Sequence, residues 1–111
     1  MATRGAMAEQ MAADYLAQQG LILVTRNFQC RLGEIDLIMQ DGQTLVFIEV
    51  RARASRQFGG AAASIDGRKQ HKLIATAQMY LTRVLPTPPC RFDAVLIEGD
   101  SLHWLQNAFQ A

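Results

Sequence analysis

Residues 33–53 read GEIDLIMQDGQTLVFIEVRAR, and this stretch decides the fold because two adjacent apolar segments in it each carry acids. Glu34 and Asp36 interrupt the first segment, and Glu49 closes the second. Asp and Glu are depleted in strands and are almost never buried unless they are paired or bind a metal. The Asp41-Gly42 dipeptide between the segments is typical of a tight turn, so the stretch predicts a β-hairpin.

The register of this hairpin follows from its turn: with Asp41-Gly42 as a two-residue loop, Glu34 is expected opposite Glu49. Asp36 would then be the diagonal neighbour of Glu49, within reach of a common ion. Side chains alternate between the two faces of a strand, so the three acids and Arg51 should share one face. A one-residue slip would separate the acids of the two strands. The turn therefore predicts a carboxylate cluster.

A cluster of this kind favours a bound cation, because carboxylates that lie close together repel each other. Hard oxygen ligands suit Mg²⁺ or Mn²⁺. Arg51, on the same face, can hold a phosphate or a developing negative charge. Together these parts predict metal-assisted hydrolysis of a phosphodiester. The same pattern also fits an acidic edge strand in which Arg51 is only a salt-bridge partner.

The acids also resemble a known motif. Asp36, followed after twelve residues by Glu49-Val50-Arg51, is similar to the core of the PD-(D/E)XK nuclease superfamily, with arginine where lysine is usual. The wider pattern resembles the YraN family of bacterial proteins, which are themselves similar to archaeal Holliday-junction resolvases. The matching pieces are Gly5, Glu9, Ala12, Tyr15-Leu16, Arg26-Asn27, GEIDLI, FIEVRAR, Phe58-Gly59, Lys69, RFD at 91–93, and HW and NAF near the end of the chain.

The resemblance implies a restriction-endonuclease/resolvase-like fold and a role for each matching acid. Asp36, Glu49 and the Val50 carbonyl would hold a divalent metal, and Glu34 would be a further acid of the site. Resolvase-like nucleases place a glutamate of the first helix beside the metal acids, and Glu9 occupies the matching position. Glu9 also lies at the margin of an apolar helical stripe, where an ordinary boundary glutamate is the alternative. The arginine in the lysine position would stabilise charge but cannot act as a general base.

The remaining segments predict the scaffold. They are a helix at 4–19, a strand from Leu21 to Phe28, a helix from an Asp66 N-cap to Leu85, a strand from Arg91 to Glu98 parallel to Leu45–Arg51, and a short edge strand from Leu102 to Leu105. The order α-β-β-β-α-β-β gives an α/β domain with a mixed central sheet flanked by helices. Asp93 is expected to pair with Arg91 or Arg26, and Trp104 and Phe109 to pack a helix or a subunit contact of a homodimer.

Length and composition fit one domain, 1–111, with a single modest core, since the chain has 111 residues and is 50% hydrophobic. No apolar run approaches the roughly 18–20 residues of a membrane span, and no signal-peptide segment is recognised. We therefore expect a cytoplasmic protein without membrane contact. Cys30 and Cys90 have no ligand-like spacing and are expected to be reduced thiols.

The net charge of +1 does not by itself indicate a nucleic-acid binder, but the charge is unevenly distributed. Residues 51–72 contain six arginines and lysines against one acid, Asp66. This basic zone predicts a surface for a phosphate backbone. The nucleic-acid contacts expected from it are Arg53, Arg56, Lys69 and Gln70. Lys69 could also supply the charge of the missing lysine, although a solvated loop and helix start would show the same pattern.

These observations predict a metal-dependent endonuclease-like protein that acts on structured or branched DNA. The alternative is a non-catalytic nucleic-acid-binding or DNA-processing accessory protein of the same fold, because arginine replaces the usual lysine. A protein-interaction module is a third reading, which the absence of nucleic-acid binding at low salt would favour.

Overall fold

A single sheet with one helix on each face forms the domain in the computed structural model, which describes residues 4–53 and 65–111. The elements are α1 (Arg4–Gln18), β1 (Ile22–Cys30), β2 (Gly33–Asp41), β3 (Thr44–Arg53), α2 (Gly67–Leu81), β4 (Cys90–Glu98) and β5 (Ser101–Phe109). This order confirms the predicted α-β-β-β-α-β-β arrangement. Arg56 and Phe58-Gly59, named above, lie outside the described residues.

The five strands lie in the order β1-β2-β3-β4-β5 and form a mixed sheet. The first three are antiparallel neighbours, as consecutive strands joined by short turns usually are. The β3 and β4 strands are parallel, as predicted, because the chain between them includes α2. The β4 and β5 strands form a second antiparallel hairpin, longer than the edge strand expected from the sequence.

The register predicted for the β2–β3 hairpin was wrong by two residues. Ile38 pairs with Phe47, where Asp36 had been expected. The loop consists of Gly42 and Gln43, and Gly42 has a φ of +60° at the first loop position, where a type II′ turn requires glycine. A shift of two residues leaves each side chain on its own face, so the alternating pattern agrees with both registers.

Each face of the sheet is covered by one helix over its own apolar cluster. The cluster under α1 contains Ala12 and Leu16 of that helix with Val46, Ile48 and Val95 of the sheet, among others. The cluster under α2 consists of Phe28, Ile35, Ile38, Leu45, Phe47, Leu73, Ala77, Phe92 and Phe109. Neither described helix has the length and apolar character that crossing a bilayer requires.

The second helix begins as predicted and ends earlier than predicted. The Asp66 side chain caps it by accepting a hydrogen bond from the backbone N–H of Lys69 at 3.0 Å. The helix ends at Leu81 rather than Leu85, because the backbone bonds of the next three residues tighten to the i−3 pattern. The residue before Pro86 is disfavoured in the helical region, so the chain must leave the helix before it.

A buried carboxylate joins the last two strands. Asp93 is fully buried and accepts hydrogen bonds from Arg91 Nε at 3.0 Å and from Trp104 Nε1 at 2.9 Å. The backbone N–H of Asn107, in the left-handed conformation with φ of +57°, donates a third bond at 2.9 Å. The predicted Arg91–Asp93 pair is therefore confirmed, and Asp93 is saturated by structural contacts.

Trp104 and Phe109 both pack within the chain. The Trp104 ring meets the edge of Tyr15 on α1, with 6.4 Å between ring centroids. Phe109 stacks on Phe92 with 5.0 Å between centroids. Of the two roles expected for these residues, Trp104 takes the helix contact, and Phe109 completes the cluster under α2.

We expect Asp93→Asn to lower the free energy of unfolding by about 2 kcal/mol, because the buried carboxylate accepts hydrogen bonds from three groups and an amide in its place leaves a buried donor unpaired. Asp100→Asn, at an exposed position of the β4–β5 turn, is the matched control and should change it by less than about 0.5 kcal/mol. Urea unfolding monitored by Trp104 fluorescence measures both. Equal midpoints for the two variants would contradict a stabilising role for the Asp93 contacts.

Candidate metal and phosphate site

Three carboxylates from two elements converge at one end of the sheet. Glu9 of α1 and Glu34 and Asp36 of β2 each offer an oxygen, and these three oxygens lie within 4.8 Å of one another. Asp36 is buried, and the other two side chains are half-buried. Carboxylate oxygens are ligands that Mg²⁺ and Mn²⁺ prefer, so this acid triad can hold a divalent metal ion.

The triad forms where β2 and β3 part. Their pairing runs from the hairpin turn to the Leu37–Ile48 pair. Strict alternation would put Ile35 and Ile38 on opposite faces, yet both pack in the cluster under α2. The alternation of β2 therefore breaks between them, at the position of Asp36. This break turns the carboxylate toward the gap between the strands.

Asp36 is fixed in this gap by the backbone of the neighbouring strand. Its Oδ2 atom accepts a hydrogen bond from the N–H of Val50 at 2.8 Å. The β2–β3 pairing has ended at this point, so the buried Val50 N–H has no backbone acceptor on β2 and is satisfied by the Asp36 side chain. The hydrogen bond holds one carboxylate oxygen in place at the entrance to the cleft.

Glu49 approaches Asp36 from the other face of the sheet. Phe47, two residues earlier, packs under α2, so Glu49 also points to the α2 side. Glu9 belongs to α1 on the opposite side, and Asp36 lies close enough to both glutamates to raise the pKa of each. The expectation that the acids share one face is therefore wrong: they meet through the gap between the strands.

The environment of Glu49 disfavours its ionised form. Only 3% of its surface is exposed. Burial, followed by the hydrogen bond and the charge of Asp36, raises the pKa of Glu49 from 4.5 to about 8. Two cations oppose this shift: Arg51 Nη2 lies 2.9 Å and Lys69 Nζ 3.2 Å from the same oxygen, Glu49 Oε2. The two cations therefore do not outweigh burial and the neighbouring carboxylate, and the pKa of Glu49 stays raised.

Asn27 is a site residue to which the sequence analysis gave no role. It lies on β1 in the left-handed conformation, with φ of +54°, which asparagine tolerates better than most residues. Burial and the charge of Asp36 raise the pKa of Glu9, whereas a hydrogen bond from the Asn27 side chain lowers it. The Arg26-Asn27 match in the YraN-like pattern was the signal that could have identified it. On the same strand, Gln29 donates a hydrogen bond to Glu34.

Lys69 reaches Glu49 because α2 lies close to the start of β2. A Cβ atom added to Gly33 would lie 2.9 Å from Thr76 Oγ1 and 3.8 Å from Lys72 Cβ. Thr76 is itself buried on the face of the helix that carries Lys69, two turns earlier. Glycine at position 33 therefore allows the close packing that brings the lysine into the site.

These groups line one open cleft with a volume of about 290 Å³, called the acidic cleft below. Its lining residues are Gly5, Ala8, Glu9, Glu34, Asp36, Glu49, Val50, Arg51, Ala52, Arg53 and Lys69. The structure thus brings together the predicted site residues with two exceptions. Gln70 lies apart, where its Nε2 donates to the Ile65 carbonyl at 3.2 Å, and Arg56 is outside the described residues.

Arg51 has spare donor capacity at this cleft. One of its terminal nitrogens bonds to Glu49, whereas its Nε atom is buried and has no hydrogen-bond partner among the described residues. A guanidinium has several N–H donors, and the Arg51 side chain is 28% exposed, so its accessible terminal nitrogens can bind an anionic ligand in the cleft.

The sheet order and the acids at the parted strands define an α/β domain of the resolvase-like type. The model of the uncharacterised protein family UPF0102 matches residues 8–97, and the chain belongs to this family, as its resemblance to YraN proteins predicted. It is 54% identical to a UPF0102 protein of Janthinobacterium sp. (strain Marseille), over 96% of this chain and 87% of that protein. It is 56% identical to one of Nitrosomonas eutropha, over 96% of this chain and 92% of that protein.

The raised pKa of Glu49 predicts how the stability of the metal-free protein depends on pH. Between 4.5 and about 8 the folded state keeps a proton that the unfolded chain has released. The stabilisation from this group is therefore complete below pH 4.5 and is lost as the pH rises through about 8. The glutamine of Glu49→Gln cannot ionise, so this variant lacks the pH dependence. Between about pH 5 and about pH 8, the free energy of unfolding of wild type, measured by urea unfolding in EDTA, should fall by more than about 1 kcal/mol relative to that of the variant. If the difference in free energy of unfolding between wild type and variant stays constant as the pH rises, or grows in favour of wild type, the raised pKa is contradicted.

Proposed function

We propose that this protein is a metal-dependent endonuclease-like protein that hydrolyses phosphodiester bonds of structured or branched DNA. The observation that carries the proposal is the acidic cleft itself. It combines the acid triad of Glu9, Glu34 and Asp36, the buried Glu49, and two cations within bonding distance of that glutamate. Acids for a divalent metal and cations for a phosphate in one cleft match the needs of phosphodiester hydrolysis.

The donor set fits Mg²⁺ or Mn²⁺. The candidate ligands are Asp36, Glu49, the Val50 carbonyl and Glu34, with Glu9 completing the acid triad. Such an ion, when bound, would activate a water molecule and neutralise charge on the phosphate. Its positive charge would also favour the ionised form of Glu49, whose pKa is raised by burial and by Asp36.

In this proposal, Arg51 and Lys69 together supply the positive charge that a single lysine usually supplies in the PD-(D/E)XK motif. Arg51 is a planar donor fork whose partly exposed side chain lines the cleft, which suits it to hold the scissile phosphate. It has no proton-accepting state at working pH. Lys69 is a compact ammonium on α2 whose Nζ already lies at the cleft, so it can stabilise developing charge on the reacting oxygens.

The proposed partner is DNA, held along the basic zone, of which Arg51, Arg53 and Lys69 line the acidic cleft. Arg53 lines the cleft, and Arg68 and Lys72 of α2 are exposed nearby in sequence. Arg56 and Gln70 remain proposed contacts. Branched DNA is the substrate class that the resolvase resemblance suggests, and a cytoplasmic homodimer would present two clefts to the two strands of a branch.

The Arg51–Glu49 ion pair also supports a second candidate. At 2.9 Å it neutralises part of the acid pair without a metal, which suits a non-catalytic accessory protein that binds the same DNA. The two candidates differ in cleavage rather than in affinity, and the experiments below separate them.

Mn²⁺ titrated into the wild-type protein should give a binding heat. Asp36→Asn should bind Mn²⁺ at least about 10-fold more weakly, because the variant removes a charged ligand from the triad. Asp100→Asn removes an exposed acid outside the cleft and should bind as wild type does. Isothermal titration calorimetry at neutral pH measures all three proteins. Equal heats for wild type and Asp36→Asn would remove the metal-site proposal.

Any Mn²⁺-dependent cleavage of branched DNA should be preserved or raised in Arg51→Lys and reduced in Arg51→Ala, because lysine still supplies a cation beside the phosphate. Lys69→Ala should reduce cleavage by about 10-fold or more, whereas Arg83→Ala, which removes an exposed cation beyond the C-terminal end of α2 and outside the cleft lining, should not. Single-turnover assays measure cleavage, and binding in Ca²⁺ measures association. Binding without cleavage in wild type and in Arg51→Lys would favour the accessory protein.

A further inference from the structure

A second concavity adjoins the acidic cleft and differs from it in chemistry. It has a volume of about 330 Å³, within the range of roughly 300–1,000 Å³ for small-molecule sites. This concavity, called the apolar groove below, is lined by residues that include Met7, Ala8, Met11, Ala52, Arg53 and Ile97. Arg53 is the one charged side chain among the described residues that line it.

The apolar groove is continuous with the acidic cleft. Ala8, Ala52 and Arg53 line both concavities, so α1 and the end of β3 form a shared wall. Ala8 is buried in this wall next to Glu9 of the acid triad. A ligand that places an anionic group in the cleft can therefore extend an apolar group directly into the groove.

Two large apolar side chains at the rim of the groove lack a covering partner within the described chain. Met7 is 58% exposed and Met11 48%, and they lie four residues apart on one face of α1. Methionine side chains are flexible and polarizable, so they adapt to flat ligands of different outline. Arg53 beside them can stack on an aromatic face or hold a phosphate.

We infer that the apolar groove accepts an unpaired nucleobase of the DNA strand whose phosphate occupies the acidic cleft. The inference rests on the proposed function and specifies its substrate class. A base is joined to its phosphate through a single sugar, which matches two concavities that share one wall. Arg53, in that wall, contacts the connecting backbone. A base in a continuous duplex is stacked and paired, so the groove selects DNA with an unpaired nucleotide, as at a branch or flap.

Binding of two fluorescent DNA probes in Ca²⁺ tests this inference. One probe is a duplex with a single unpaired nucleotide, and the other is identical except that this nucleotide is abasic. Wild type should bind the first about fivefold or more tightly than the second, the lower limit expected for one stacked base. Met7→Ser/Met11→Ser should lose this preference and keep its affinity for the abasic probe.

Ile22→Ser/Leu23→Ser is the matched control, since it removes two exposed apolar side chains of β1 that line neither concavity. It should keep the wild-type preference. Equal affinity of wild type for both probes, or an unchanged preference in the methionine variant, would overturn the inference and leave the proposed function standing. No binding of either probe at low salt would overturn both. A wild-type dimer that becomes monomeric only in the methionine variant would show that a second copy of the chain covers the groove.

Discussion

The hydrogen bond from the Val50 N–H to the Asp36 carboxylate is the contact on which the site depends. It lies where the β2–β3 ladder ends, and it pairs a buried backbone donor that the parted strands no longer share. Through the gap that it bridges, Asp36 meets Glu9 from the α1 side and Glu49 from the α2 side. A regular ladder would keep the two glutamates on separate faces of the sheet, and no cluster would form.

The helix contacts set the charge balance around this gap. The close approach of α2 at Gly33 brings Lys69 to Glu49, and Asn27 donates to Glu9 on the other side. Lys69 and Arg51 lower the pKa of Glu49, but burial and Asp36 outweigh them and raise it to about 8. The resulting acid triad offers oxygen ligands that can hold a divalent ion.

The sequence predicted the element order from apolar periodicity and from turn and cap residues. It predicted Glu34, Asp36 and Glu49 because acids in apolar strands are rare enough to stand out, whereas Glu9 was implied by the resolvase resemblance. It did not predict the register, because moving the two-residue loop by one residue shifts the strand pairing by two, and side-chain alternation is the same in both registers. The single-face expectation failed because it assumed a regular β2, whereas the strand breaks its alternation between Ile35 and Ile38. The role of Asn27 and the contact of Lys69 depend on backbone conformation and helix position, which the residue pattern does not contain.

Both outer strands of the sheet are irregular, and this affects how the molecule behaves among copies of itself. The pairing of β1 shifts between Leu23 and Thr25, and β5 departs from regular geometry at Asn107. An outer strand with a straight run of free backbone groups is a template for further strands, and β1 also exposes Ile22 and Leu23. The irregularities interrupt that template at both edges. They therefore protect a sheet with apolar edges from growing by strand addition at high concentration.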